Sequence, residues 1–553
     1  MEPSPPSARP WPTASPGTLA AAVVVAAAAV RLGAFVAGSG DPYVQFRQGD
    51  EAYYHAWATA IAQGHWARGA SFFTTPLYAY VLALLYRIAG DGLALARSLN
   101  VLLGVGTVAL VFLAARRWVG RGAAVAAAAL VGFCAAPVSY ELFAEKTSLV
   151  LFLTALTFHQ VGRASERGTP GRWLLAGLSG GAASLAHTLL LVAAPAVWAH
   201  LAVNARGAGR PAARSAAFFT LGFALALAPA TAHNWLQDRS FLLVCSTGGN
   251  TFYMGNGEGN LTGAYTVPPF AVSNAVSEER GFAAEAERRT GRRLRPSEVS
   301  AFWLREGLRD IAAQPALAAR RFWRRFRWTV GAAEITDTRT FEFYEERHRP
   351  LRLLPWGFGL VSALGLTGLA LAAGSRALAF PVAFTALFTA GTSAILVYGR
   401  YRLPLIVPLS LLGALALARA VEWARRRRTG ALAALGALAA ALGWFVYAPV
   451  PPLDEVSFFI DYSNQGNRYW DRGEFERAFA EYEKALRVRP GDLPAVPRLY
   501  ARLGGIYAGR GELRRSEALL REGAARYPAD REIGALLQEV SRRLAGTGAS
   551  ASP

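Results

Sequence analysis

The chain is predicted to be an all-α, polytopic membrane protein that ends in a small soluble helical domain. Three observations predict this. Hydrophobic residues make up 53% of its 553 positions, and the mean hydropathy is +0.23. The apolar material arrives in runs of about twenty residues, the length an α-helix needs to cross a hydrocarbon core. Beyond residue 455 the runs give way to polar, helix-periodic sequence in which the same small and large residues return at fixed offsets.

The apolar runs fall near 19–37, 92–115, 123–138, 147–161, 173–186, 189–203, 216–231, 353–373, 377–397, 403–420 and 431–448, about eleven transmembrane helices. Residues 1–17, rich in Pro and Ser, read as a disordered leader. No small-residue cleavage site follows the first run, so it is expected to stay as an anchor. The membrane domain therefore covers 18–449 and the tail domain 455–545.

The net charge of +20 would suggest nucleic acid in a soluble protein. Here the arginines gather in short connections instead: Arg116, Arg117 and Arg121; Arg163, Arg167 and Arg172; Arg206, Arg210 and Arg214; and Arg425 to Arg428. All four groups fall on one side if the N-terminus is cytoplasmic, as the positive-inside rule requires. No nucleic-acid partner is expected. The only cysteines, Cys134 and Cys245, read as small core residues, so neither a disulfide framework nor redox chemistry is expected.

This topology puts residues 38–91, the turns near Glu145, His187 and Arg400, the loop 233–350 and the C-terminus on the extracytoplasmic side. The long loop is itself basic, but loops of that length escape the charge rule. Its Arg and Trp mixture suits a helix lying on anionic headgroups. Residues 50–64 set Tyr53, Trp57 and Ile61 on one stripe, and Pro76 opens a run too short to span, so both segments are expected along the interface. In the tail, Tyr462, Gly466, Tyr469, Ala478, Tyr482, Ala485 and Pro490, then Gly504, Tyr507, Ser516, Leu520 and Pro528, follow the tetratricopeptide pattern. Residues 531–544 serve as a capping helix, and the concave face of such a stack would suit a protein partner.

Carboxylates cannot lie ionised in hydrocarbon cheaply, at about 2.5 kcal/mol or more each, so Asp50 and Glu51 must sit at a water boundary. The stretch Gly49-Asp50-Glu51-Ala52-Tyr53-Tyr54-His55-Ala56-Trp57-Ala58, with Pro76-Leu77-Tyr78 after it, resembles the first outer loop of bacterial family 39 glycosyltransferases. That GT-C group includes protein mannosyltransferases and the lipid A aminoarabinose transferase. Glu145, the segment around His187, the 248–256 stretch and Arg400-Tyr401-Arg402-Leu403-Pro404 continue the resemblance in the same order.

The resemblance implies a GT-C fold and an inverting enzyme. It would move a sugar from a polyprenyl-phosphate donor to a glycan, lipid or protein acceptor on the extracytoplasmic face of the inner membrane. Asp50 would be the general base, with Glu51 and Glu145 as the other catalytic acids. Arg400 and Arg402 would fork onto the donor phosphate with His187 nearby. His187 stands where the aminoarabinose transferase has a phosphate-contacting lysine, and Thr75 replaces a second lysine, which leaves a pyrophosphate donor open. Asp is also a favoured helix N-cap, so a capping role for Asp50 stays open. So does a divalent cation held by the acids.

The Gly-rich stretch 246–263 lacks a Lys-Ser/Thr and reads as a flexible loop over the cavity rather than a nucleotide cradle. Tyr54, Asn250, Tyr253 and Asn256 are its candidate substrate contacts. Two alternatives remain at this point: a lipid or polysaccharide transporter, and a scaffold of a cell-envelope export complex that works through the repeats.

Overall fold

The computed structural model describes residues 15–47, 49–66, 69–205, 209–271, 275–336, 340–450, 455–488 and 496–549. Most of the polar leader, Arg206 and the repeat linker with Pro490 lie outside them. Among the described residues there is no strand, and the one β-like contact is an isolated bridge between Cys134 and Trp356. Five helices are long and apolar enough to cross a membrane: Pro16–Ser39, Leu93–Trp118, Ala212–Asp238, Gly399–Arg425 and Thr429–Tyr447. Shorter apolar helices accompany them. With Val25, Leu32, Val36, Leu102, Leu225 and Trp444 exposed on such helices, this is an integral membrane protein.

The chain divides into two compact units. The first comprises Met1–Ser39, Arg47–Asp337 and Tyr344–Val450. Its helices pack through glycines, as expected where no hydrophobic force drives helices together within lipid. A Cβ at Gly177 would lie 2.0 Å from the Phe219 carbonyl oxygen, and one at Gly222 would lie 2.1 Å from that of Leu174. Helices Pro170–Ala186 and Gly209–Asp238 thus each yield a glycine to the other's backbone.

The apolar run 123–138 is not one span. It forms Arg121–Gly132 and a short helix Ala135–Glu141, broken at Phe133 and Cys134. The break frees backbone groups, and buried partners satisfy them. The Ala135 amide donates to the Trp356 carbonyl at 3.0 Å, Trp356 Nε1 to Leu130 O at 3.0 Å, and Arg31 Nη1 to Gly132 O at 2.7 Å. Arg31 Nε also pairs with Glu141 Oε1 at 3.0 Å, both side chains almost fully buried. An arginine inside the first apolar run is therefore structural: it closes the break.

The second unit comprises Gly40–Phe46, Thr338–Phe343 and Pro451–Pro553. The domain read as 455–545 thus includes two short pieces from earlier in the chain. Its first helix, Glu455–Asp471, carries a buried Asp461 whose oxygens accept from Tyr43 Oη and from the Thr340 amide, both at 2.8 Å. Helices Glu455–Asp471 and Phe475–Val488 meet where Gly466 faces Tyr482. Helices Val496–Gly509 and Leu513–Arg526 repeat the device with Gly504 against Leu520. The helix Arg531–Ala549 follows them.

Removing one member of a buried ion pair leaves the other charge uncompensated, at a cost of about 3–5 kcal/mol. Arg31→Ala should therefore lower the thermal unfolding midpoint in detergent sharply, and adding Glu141→Gln should recover part of the loss. A midpoint unchanged in the single variant would show that the pair does not hold the break.

Candidate active site

Asp50 opens the helix Asp50–Ala62, which is entered through Gly49 at φ 52°, a left-handed backbone that suits glycine. The helix has no side-chain cap. The Asp50 carboxylate turns elsewhere: its Oδ2 accepts from Arg400 Nη1 at 2.7 Å, and the same nitrogen donates to Glu145 Oε2 at 3.1 Å. Arg400, 8% exposed, comes from the turn Gly399–Arg402, so three distant segments meet at one guanidinium. Burial pushes the Asp50 carboxyl up. The charges of Arg400 and Lys146 and the Arg400 hydrogen bond outweigh it, and the group sits below its ordinary value.

Glu145 lies in a turn that Asn100 shapes from the helix Leu93–Trp118, its Nδ2 donating to the Phe143 and Glu145 carbonyls. Thr147 Oγ1 donates to Glu145 Oε1 at 3.1 Å, orienting the carboxylate toward Arg400. Among the described residues no three His, Cys, Asp or Glu side chains are grouped to hold a metal ion. The space between Asp50 and Glu145 holds a guanidinium. Glu51 is buried near Tyr78.

Lys146 is a cation outside the expected site residues. Its Nζ donates to Thr75 Oγ1 at 2.9 Å, lies 5.8 Å above the Tyr54 ring, and is close enough to act electrostatically on Asp50 and His187. A signal for it existed: of 58 basic residues only Lys146 and Lys484 are lysine. A compact ammonium offers three rotatable donors where arginine offers a rigid fork.

The other expected site residues fall in different places. Arg402 does not join Arg400 in a fork. It is fully buried, donating to Trp328 O and Gly331 O at 2.8 and 2.7 Å and pairing with Glu334 at 3.0 Å, so it ties the turn to the segment after the helix Pro315–Val330. His187 sits in the turn after Pro170–Ala186 with its ring 5.1 Å from that of Tyr401. Burial, with the charges of Lys146 and Arg400, pushes its imidazole down to about 3, so it is neutral at physiological pH.

Tyr54 is buried, bonding Thr75 and stacking on Trp57. Only part of 246–263 is a loop: Thr247–Asn256 is a helix, and 257–263 follow it without regular structure. The helix glycines serve close packing, since a Cβ at Gly249 would lie 1.8 Å from Ser300 O and one at Gly255 2.0 Å from Ile395 O. Asn256 is spent internally, donating to Phe252 O and Ala394 O and accepting from Arg325. Tyr253 packs on Trp303 with ring centroids 4.5 Å apart, and Asn250 is buried.

Residues 74–235 match the sequence model of a family described as dolichyl-phosphate-mannose-protein mannosyltransferase. That segment is mannosyltransferase-like. It contains Thr75, Glu145, Lys146 and His187. No curated protein matches the chain. Among solved structures, the chain is similar to the Archaeoglobus fulgidus oligosaccharyltransferase in complex with zinc and sulfate, at 16% identity and TM-score 0.45, covering 85% of this chain and 57% of that one. The apo form of the same enzyme gives 15% and 0.43, with 86% and 60% covered. ArnT from Cupriavidus metallidurans bound to undecaprenyl phosphate gives 16% and 0.34, with 73% and 79% covered. The chain thus spans less than two thirds of the oligosaccharyltransferase's length.

A depressed carboxylate pKa stabilises the fold fully above the unfolded value, here 3.8, and that contribution is lost as pH falls through the folded value. In Arg400→Gln the sign reverses for this group, because burial then dominates and protonation relieves it. The stability lost in Arg400→Gln should be smaller at about pH 4 than at about pH 7. Paired thermal melts check this; a penalty independent of pH would mean that Arg400 does not hold Asp50 by charge.

Proposed function

We propose that this protein is an inverting membrane glycosyltransferase, moving a sugar from a polyprenyl-phosphate donor to an acceptor hydroxyl on the extracytoplasmic face. One observation carries the reading: an ionised Asp50, oriented by Arg400 and Glu145, lies in the field of a buried lysine. The mannosyltransferase-like segment 74–235 supports the donor class, a sugar on a lipid phosphate. The GT-C architecture belongs to the same proposal.

Each residue then has a task. Asp50 takes the proton from the acceptor hydroxyl as its oxygen attacks the anomeric carbon, opposite the departing phosphate. Arg400 and Glu145 fix the direction of that carboxylate. The Arg400 charge is already met by two carboxylates, so the phosphate is assigned to Lys146, of whose three donors Thr75 takes one. A neutral His187, whose Nδ1 accepts from the Leu189 amide, donates a hydrogen bond there from Nε2 without adding charge. The ammonium stabilises the oxyanion that grows as the sugar leaves, the interaction that accelerates such a step most. The helices of the second unit would recruit a protein partner or the acceptor.

Asp50→Asn should insert and fold normally and lose transfer by about 10²- to 10⁴-fold, the contribution of a well-placed general base. Lys146→Met should weaken the thermal stabilisation that added polyprenyl phosphate confers, a binding readout in which Asp50→Asn behaves as wild type or better. Full transfer by Asp50→Asn would remove the proposed base. Undiminished stabilisation of Lys146→Met would move the phosphate elsewhere.

A further inference from the structure

Glu278 was not singled out by any sequence pattern, and the reaction just described does not use it. It lies in the first turn of the helix Ala275–Thr290, half-buried. That helix is firmly seated: Phe282, one turn on, is fully buried, Trp303 Nε1 donates to its carbonyl at 3.0 Å, and the Trp303 ring stacks on Phe270 with centroids 5.1 Å apart. Gly281 allows the approach, since a Cβ there would come within 2.6 Å of the Phe270 carbonyl oxygen. Residues 278 and 282 share a helix face.

From this seat Glu278 accepts a hydrogen bond from Tyr265 and feels the charge of Asp50. Tyr265 in turn lies 5.3 Å, ring to ring, from Tyr398, which caps the short helix bearing Arg400. Contacts thus join Glu278 through Tyr265 and Tyr398 to the turn that bears Arg400, within electrostatic reach of Asp50.

We propose that Glu278 is a proton-relay residue acting through Asp50, receiving the proton that Asp50 takes from the acceptor hydroxyl and passing it to water. This rests on the sugar-transfer reading above. In the step, the acceptor O–H bond breaks and its oxygen bonds the anomeric carbon. The carbon–oxygen bond to phosphate breaks with its electron pair staying on phosphate. The proton moves to Asp50 and then to Glu278.

The two carboxyls suit this order. Arg400 and Lys146 hold Asp50 ionised, so a proton placed there is easily given up. Burial and the Asp50 charge push Glu278 up to about 7 against the Tyr265 hydrogen bond, so it both takes and releases a proton near neutrality. The groups facing it are Asp50 from the helix Asp50–Ala62 and Tyr265 from the preceding loop. The neighbouring helix Pro296–Ala313 meets Ala275–Thr290 through Trp303 at Phe282 and through Glu306 near Arg289.

Two measurements on the full chain in detergent test the relay. In infrared titration without substrate, wild type should show a carboxyl that titrates near pH 7. The difference between wild type and Glu278→Gln should contain one carboxyl titrating near pH 7, and that band should move to lower pH in Asp50→Asn; a difference without such a band, or a band that ignores Asp50→Asn, overturns the coupling. In transfer assays with polyprenyl-phosphate mannose, Glu278→Gln should lower turnover by about tenfold or more, leave the donor KM unchanged and erase the pH limb near 7. Glu278→Asp should restore part of the rate with a displaced limb.

Wild-type turnover and pH profile in Glu278→Gln would overturn the relay and leave the sugar-transfer reading standing. Reduced thermal stability with an unaltered pH profile would make Glu278 structural and overturn it equally. Absence of transfer in wild type would count against the transfer reading, and the infrared titration then decides the coupling alone.

Discussion

The site depends on one guanidinium held between two carboxylates. Arg400 donates to Asp50 and Glu145 from a nearly dry position, where like charges repel strongly and an unpaired charge costs several kcal/mol. Remove the cation and the two acids cannot both stay ionised side by side. Around this contact the rest is scaffolding with a purpose. Gly49 turns the chain so that Asp50 starts a helix facing Arg400. Asn100 bends the turn that presents Glu145. Arg402, one residue from the next helix, anchors the other side of Arg400 by binding the carbonyls of Trp328 and Gly331.

Two arginines only two positions apart therefore meet opposite fates. Arg400 and Arg402 look interchangeable as letters, and a fork onto phosphate is the natural expectation for both. What separates them is the short helical turn Gly399–Arg402. It sends one side chain toward Asp50 and the other toward unsatisfied carbonyls at the end of the helix Pro315–Val330. Buried carbonyl groups that lack a partner are expensive, and a long cation with several donors is a cheap remedy. Arg31 meets the same need at the break after Gly132, and Arg325 meets it against Gly255 and Ser393. Among the described residues most buried arginines serve backbone carbonyls, and Arg400 instead joins two carboxylates.

This explains what was legible in the sequence. Apolar run length located most of the apolar helices, because hydrocarbon thickness fixes it, but could not show the break at Phe133 and Cys134. The acids at 50 and 145 and the arginine at 400 were visible because charge at membrane depth is costly. Glycine was ambiguous. At 248 to 256 it suggested a mobile loop, yet Gly249 and Gly255 are small so that a helix can press its backbone on Ser300 and Ile395. Asn256, Tyr253 and Tyr54 look like sugar contacts by type but are consumed by internal partners that no local pattern reveals. Lys146 and Glu278 were hidden for the converse reason: each acquires its meaning from a residue far off in the chain.

Charge accounting ties the two hidden residues to the visible ones. Asp50 and Glu145 contribute two carboxylates and Arg400 and Lys146 two cations, so the charges of this group of four balance. A lipid-phosphate sugar arrives as a singly charged diester, and the monoester that departs carries about −1.5 to −2 at neutral pH. In the proposed reaction, negative charge thus migrates from the base to the phosphate while the acceptor's proton stays behind on the protein. A proton retained on Asp50 would break its pairing with Arg400. Passed to a carboxyl poised near neutrality, it restores the ionised carboxylate while Lys146 faces the growing phosphate charge. The arrangement allows base, anchor and proton outlet to be three different residues, each kept in the protonation state its task demands.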